Sequence, residues 1–376
     1  MQLVKSNRDA LLRPLQIVSG IVERRHTLPI LANILIRKDG QAVSFLSTDI
    51  EVQITAHGDI GVGPETVATT VSARKLLDIL RALPESEVTL SLANKKLTVQ
   101  SEKSRFNLQT LAAEEFPIVA QPERYGVSLT MAQKTLKHLF SMVHFSMAQQ
   151  DIRYYLNGLL LVVEANKVIA VATDGHRLAY CSVELDHDAD QNLARHDVII
   201  PRKTILELQR LLEDNEDTVE IAFVGNQSAG NQARFRFSGI ELISKLVEGK
   251  FPDYQRVIPT GYVKSFTISR ETWLRALQRV AILTSDKFKG VRFVLSDDAV
   301  KISSTNADQE DAQDEIEIAY KHGPLDIGFN VSYLLDVLNN LKSEQVTVSV
   351  GDSNSSALIT LPGEEAFKYV VMPMRI

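Results

Sequence analysis

A helix-and-strand unit occurs three times along this chain, and that repetition limits the fold more than any other feature. The stretch Ile200–Phe223, IPRKTILELQRLLEDNEDTVEIAF, reads as a strand end, an amphipathic helix, an acidic turn and a second strand. Val71–Leu90 and Phe329–Val348 read the same way. Leu76, Ile205 and Leu334 share one slot, Ile79, Leu208 and Val337 the next, and Leu83, Leu212 and Leu341 the third, at steps of 129 residues. A second helix also repeats, starting near Asn7, Met131 and Ser269. Leu12, Leu136 and Leu274 align along it, as do Leu15, Leu139 and Leu277, and then Val18, Met142 and Val280. Their spacing is that of one helix face. Pro14 lies inside the first copy and predicts a kink there or an end to the first turn. Alternating runs broken at Asp39-Gly40, Ala165-Asn166 and Asp297-Asp298 read as antiparallel hairpins. The expected class is α+β, with three copies of one domain over residues 1–124, 125–262 and 263–376, each holding two helices and antiparallel sheets.

Composition excludes some roles. No apolar run is long enough to span a bilayer and no charged-then-apolar leader opens the chain. The one cysteine, Cys181, allows no internal disulfide and suits a reducing, cytoplasmic setting. A net charge of −6 argues against nucleic acid until its distribution is considered. The helical stretches 5–25, 72–84, 131–145, 201–214, 269–283 and 331–342 together carry +9, which leaves −15 for the rest. If those helices line one surface, that surface attracts phosphates without reading bases.

The run Thr173-Asp174-Gly175-His176-Arg177-Leu178 is the stretch most easily taken for a catalytic site. An Asp close to a His suits acid–base work, yet Thr48-Asp49 holds the equivalent place in the first third, so a polar turn is the simpler reading. No HxE, HxxxH or CxxC set completes a metal site and no GxxxxGK[ST] cradles phosphate. We expect no cofactor and no catalytic residue. A hydrolase built on Asp174 and His176 lacks partners, and a scaffold that binds only proteins leaves the positive helices unexplained. The apolar end Val370-Val371-Met372-Pro373-Met374 is unusual for a terminus. Val370 and Val371 suit a core strand. Met372 and Met374 suit a groove that accepts several apolar peptides.

The pieces TLPIL (27–31), SMAQQDIRYYLNG (146–158), ATDGHRLA (172–179), KFPDYQRVIP (250–259), FNVSYLLDVLNNLK (329–342) and YVVMPMRI (369–376) carry a resemblance over essentially the whole chain. It closely resembles the bacterial DNA polymerase sliding clamps, the beta subunits of DNA polymerase III. The resemblance implies three clamp domains forming a half-ring that closes as a head-to-tail homodimer around double-stranded DNA. It implies partners that include DNA polymerases, a clamp loader and other proteins with short clamp-binding peptides. It places DNA contacts at Arg25, Arg74, Gln150, Tyr154, Tyr155, Arg202 and Lys203. One wall of a peptide groove would be Leu156, Thr173, Gly175, His176, Arg177 and Leu178, with Pro252, Arg256 and Val257 from the next link. Asn330, Tyr333, Ser356 and the tail Val370, Val371, Met372, Pro373, Met374 and Arg375 would complete it. The dimer contact would set Ile282 and Leu283 against Phe106 and Leu108, with Lys75 and acidic residues around them. Arg105–Leu108 alternates as an unpaired edge strand would.

Overall fold

The computed structural model describes residues 1–23, 28–122, 124–164, 166–185, 195–224, 231–285 and 289–375. The described residues form two compact units, one of residues 1–134 and 206–246, the other of 135–205 and 247–376. Seven helices lie among them: α1 Arg8–Val18, α2 Ala73–Ala82, α3 Gln133–Ser141, α4 Arg202–Leu211, the single turn α5 Tyr254–Val257, α6 Arg270–Ala281 and α7 Val331–Asn340. None is long and apolar enough to cross a membrane.

The helices start where the sequence supplies a cap. Asn7, Ser72, Ser269 and Asn330 each close the preceding strand and accept a hydrogen bond from the first turn of α1, α2, α6 and α7. The repeated slots face inward: Leu76, Ile205, Leu208, Leu334 and Val337 are buried, as are Leu15, Leu139 and Leu277. Pro14 does not end α1, which runs on through it to Val18. Ser47 Oγ donates to the Val18 carbonyl and Ser304 Oγ to the Val280 carbonyl. The first and third repeats therefore share register at atomic detail.

In the first unit, twelve strands form one antiparallel sheet, in the order Gln2–Asn7, Glu87–Ala93, Lys96–Ser101, Ser104–Leu111, Thr66–Ser72, Asn33–Asp39, Ala42–Thr48, Val52–Asp59, Ile240–Lys245, Gln232–Phe237, Thr218–Phe223 and Val127–Ala132. In the second, eight strands run His196–Pro201, Gly158–Glu164, Lys167–Thr173, Arg177–Glu184, Glu364–Val371, Ala357–Leu361, Gln345–Val350 and Lys264–Ser269. A four-stranded sheet there runs Asp311–Glu317, Ala299–Thr305, Gly290–Ser296 and Leu325–Asn330. The expected hairpins form, with Asp39 opposite Ala42, Glu164 opposite Lys167 and Ser296 opposite Ala299.

Each unit contains one seam between successive repeats, and both seams are built alike. In the first, Val52–Asp59 pairs with Ile240–Lys245, Val52 lying opposite Ser244. In the second, Arg177–Glu184 pairs with Glu364–Val371, Arg177 lying opposite Val371. One residue beyond each pairing, Lys245 N donates to the Glu51 carbonyl at 2.8 Å and Met372 N to the His176 carbonyl at 2.9 Å.

Candidate functional site

The turn that sets the second seam is held by its own side chains. Thr173 Oγ1 donates to the Arg177 carbonyl (2.6 Å) and accepts from Gly175 N (3.1 Å). Asp174 Oδ1 accepts from His176 N (2.9 Å) and Arg177 N (3.0 Å). The first seam repeats this with Thr48 and Asp49, bond for bond. Asp174 is thus engaged in shaping a turn, as the sequence comparison with Thr48-Asp49 suggested. Gly175 sits at φ 89°, a conformation that favours glycine, and a Cβ there would lie 2.9 Å from Arg153 Nη1 and displace the end of that side chain.

Arg177 is the hub beneath the turn. Its Nε donates to Asp174 Oδ2 (3.1 Å), Nη1 to Asp336 Oδ2 (2.6 Å) and Nη2 to the Phe145 carbonyl (2.8 Å), while the Tyr333 ring lies 4.5 Å from the guanidinium carbon. Burial opposes its charge, but the Tyr369 hydroxyl, Asp336 and Asp174 outweigh that and raise its pKa above the ordinary value. His176 remains exposed and stacks on Tyr333, ring centres 6.5 Å apart.

Around this hub the predicted groove residues fall into three groups. Leu156, Leu178 and Val370 are buried, and Leu178 and Val370 share one apolar cluster with Phe251 and Tyr254 of the following link. Pro252 lies between those two anchors; Arg256 and Val257 are the exposed end of α5, with Arg256 paired to Asp253 at 3.0 Å. Met372 is half exposed, and Pro373 and Met374 are partly so after the strand ends at Val371. Met374 N donates to the Gly328 carbonyl (2.7 Å), which fixes the tail, and Arg375 is exposed. Val371 is buried like Val370, and strand alternation turns the two to opposite faces. Asn330 is half-buried, and its side-chain oxygen caps α7 by accepting from Ser332 N (2.9 Å). Ser356 is partly buried and its carbonyl accepts from Tyr262 Oη (2.7 Å).

The segment Ala148–Asn157 is a rigid loop. Asn157 exchanges hydrogen bonds with the backbone of Asp151, and Arg153 donates through Nε and Nη2, one guanidinium edge, to both carboxylate oxygens of Asp151. That grip, chiefly the side-chain hydrogen bond, holds the Asp151 carboxyl down to about 2. The loop presents Gln150 at φ 56°, an almost wholly exposed Ile152 and an exposed Tyr154, with Tyr155 half-buried. Arg202 is half-buried and donates to the Met147 carbonyl (3.3 Å); burial, then Arg177, lowers its pKa. Lys203 is half-buried in the first turn of α4. Arg74 is exposed on α2, 3.6 Å from Asp78. Arg25 lies outside the described residues.

Phe106 and Ile282 are exposed, Ile282 at 76%; Leu108 and Leu283 are half-buried and Lys75 is exposed. Ser104–Leu111 pairs along one side with Lys96–Ser101, and only Thr110 and Leu111 meet a strand on the other.

Comparison with known proteins decides the family. Models of the N-terminal, central and C-terminal domains of the DNA polymerase III beta subunit match residues 2–120, 130–253 and 255–375. The chain is 45% identical to the beta sliding clamp of Pseudomonas putida and 42% to that of Escherichia coli, in each case over 98% of both chains. Two solved structures from Pseudomonas aeruginosa cover it fully: a DNA polymerase III beta subunit at TM-score 0.93 and 44% identity, and a sliding clamp bound to griselimycin at 0.94 and 43%. The chain belongs to the DNA polymerase III beta subunit family. As a beta sliding clamp it has the family's three-domain fold of helices and antiparallel sheets.

Sequence reasoning missed several residues of this clamp's turn. Asp336, Phe145 and Gly328 meet Arg177 or the tail, and the Tyr369 hydroxyl donates to the Tyr333 carbonyl (2.8 Å). A signal for Asp336 existed: Glu207 occupies its slot one repeat earlier.

Proposed function

We propose that two copies of this chain close head to tail into a ring around duplex DNA, and that its peptide groove tethers polymerases and a clamp loader. The chain is a sliding clamp, a non-catalytic processivity subunit in DNA replication. The observation that carries the ring reading is the pair of like seams. Each joins the strand after a Thr-Asp turn to the last strand of the next repeat. In the third repeat the strand in that position is Asp311–Glu317, at a sheet edge and following the Asn306 turn. In the first repeat the last strand is Ser104–Leu111, open over most of one side. Pairing these two edges between copies repeats the two seams within the chain a third time. The charges are complementary: Arg105 on one edge with Lys103 in the turn before it, Asp311, Glu315 and Glu317 on the other. Phe106, Leu108, Ile282 and Leu283 supply apolar contact, and Lys75 lies beside them.

Three domains over residues 1–124, 125–262 and 263–376 fit these seams. Arg25, Arg74, Gln150, Tyr154, Tyr155, Arg202 and Lys203 meet DNA, mostly at phosphates, so any one loss weakens binding alike on all sequences. The groove takes an extended peptide with apolar anchors between Leu178, Val257, Tyr333 and the two tail methionines.

Retention on closed circular DNA, lost on linearisation, tests the ring. Escape from circles as fast as from linear DNA would refute threading. Deleting residues 372–376 is expected to abolish polymerase binding and leave retention on circles intact.

A further inference from the structure

The link Phe251–Gln255 packs through Phe251 and Tyr254 on one face of the eight-stranded sheet. Ile199, Leu160, Val171 and Tyr180 lie side by side in one row of that face, opposite one another on adjacent strands. Phe251 and Tyr254 pack on the same cluster, which also holds Leu178 and Val370 at the groove. A cavity of about 370 Å³ is lined by Leu160 and Ile199 of the sheet and by the link itself, including Phe251 and Tyr254. Pro252 lines this cavity and also belongs to the proposed groove, so the two adjoin at that residue.

The charges around the cavity are unequal. Arg195 is held by Asp197 at 2.8 Å, and Asp253 by Arg256 at 3.0 Å. Among the described residues lining it, Lys250 is the charge with no ion-pair partner, and it is exposed. An apolar floor under one unneutralised ammonium fits an acidic residue beside an apolar one.

We infer that this cavity takes the flank of the partner segment whose core fills the groove, and that Lys250 selects an acidic residue in that flank. The inference rests on the groove reading above. Leu178 lies two strands from Leu160, a span of about 10–12 Å at the usual strand spacing. An extended chain covers that in about three to four residues. A partner needs only that much flanking sequence to engage both sites, and the added contact acts as an intramolecular one.

The test uses fluorescence anisotropy on the full-length protein. The probes are a short peptide with leucine and phenylalanine anchors and the same peptide lengthened by about four residues at either end, ending in Glu or in Gln. We expect the Glu extension at one end to tighten binding about three- to tenfold, the Gln extension to gain less, and Lys250→Glu to remove the gain while leaving the short peptide's affinity unchanged. No gain from either end, or a gain that survives Lys250→Glu, overturns the inference while the groove reading stands. Failure of the short peptide to bind the wild-type protein overturns the groove reading, and the role of the cavity falls with it.

Discussion

Ile50 and Gly175 occupy the same place in two copies of one turn, at φ 80° and 89°. Glycine adopts that conformation freely, whereas a β-branched residue there is strained by about 1–3 kcal/mol. Ile50 is 38% exposed, so little apolar burial offsets the strain. Ile50→Gly is therefore expected to stabilise the protein by about 1 kcal/mol, after the entropy that glycine adds to the unfolded chain. Urea denaturation monitored by circular dichroism would show it, and a lower midpoint would count against strain at this turn. Lys38 is the opposite case, a lysine with a fully buried side chain. Its Nζ donates to the carbonyls of Gly63 (2.9 Å) and Glu65 (2.7 Å) and so pins the loop that follows Val52–Asp59. Lys38→Met keeps the stem and leaves both carbonyls without their donor, so a loss of about 2 kcal/mol is expected in the same assay.

At the scale of elements, α3 and the turn after it carry two histidines, His138 and His144, whose pKa values are lowered from 6.5. Burial is the main cause at half-buried His144, whereas His138 is exposed on α3, where solvent screens the effect. Nδ1 of His144 lies 3.2 Å from the carbonyls of Phe140 and Ser141. The unfolded chain protonates these imidazoles first. Below about 6.5 it therefore binds more protons than the folded state, and stability falls as pH drops from that value through the lower folded pKa values. His144→Gln should flatten the decline between about pH 7 and 5. A variant whose stability follows pH as steeply as the wild type would exclude His144 as a cause. The seams are elements too. Among the described residues, Asp311–Glu317 leaves one side open along its length and Ser104–Leu111 leaves one side open up to Thr110, and an open side is what a strand from another copy can pair with.

For the whole molecule, a head-to-tail ring has two like contacts, each using one face from either copy. Phe106→Ala with Leu108→Ala damages one face; Ile282→Ala with Leu283→Ala damages the other. Each variant alone is expected to be monomeric at micromolar concentration. Mixed, they restore one of the two contacts, so sedimentation should find an open dimer that circular DNA does not retain. Two monomers that stay apart on mixing would argue against the head-to-tail arrangement.

How much of this was legible in the sequence follows from the kind of information each feature needs. Periodicity is local, so spacing alone assigns Leu76, Ile205 and Leu334 to the core, and the hairpins at Asp39-Gly40 and Asp297-Asp298 follow from their turn residues. Repetition then tied Thr48-Asp49 to Thr173-Asp174 and discounted catalysis at Asp174. The specific runs such as ATDGHRLA and KFPDYQRVIP pointed to the family. What the sequence could not settle depended on partners far along the chain. Val370 and Val371 look alike as residues, and only the pairing of their strand with Arg177–Glu184 tells which of the two faces the link. The sequence offers Arg177 as a groove wall; what it does not show is the three acceptors, the Asp174 and Asp336 carboxylates and the Phe145 carbonyl, that together with the Tyr333 ring hold it in place. The cavity beside Lys250 has no signature of its own, because its lining comes from strands Gly158–Glu164 and His196–Pro201 and from a link about fifty residues beyond the second of them. Local pattern determined which elements form and how often they recur. Which side chains meet was decided by register between strands distant in sequence, and one residue of register exchanges the faces of a sheet.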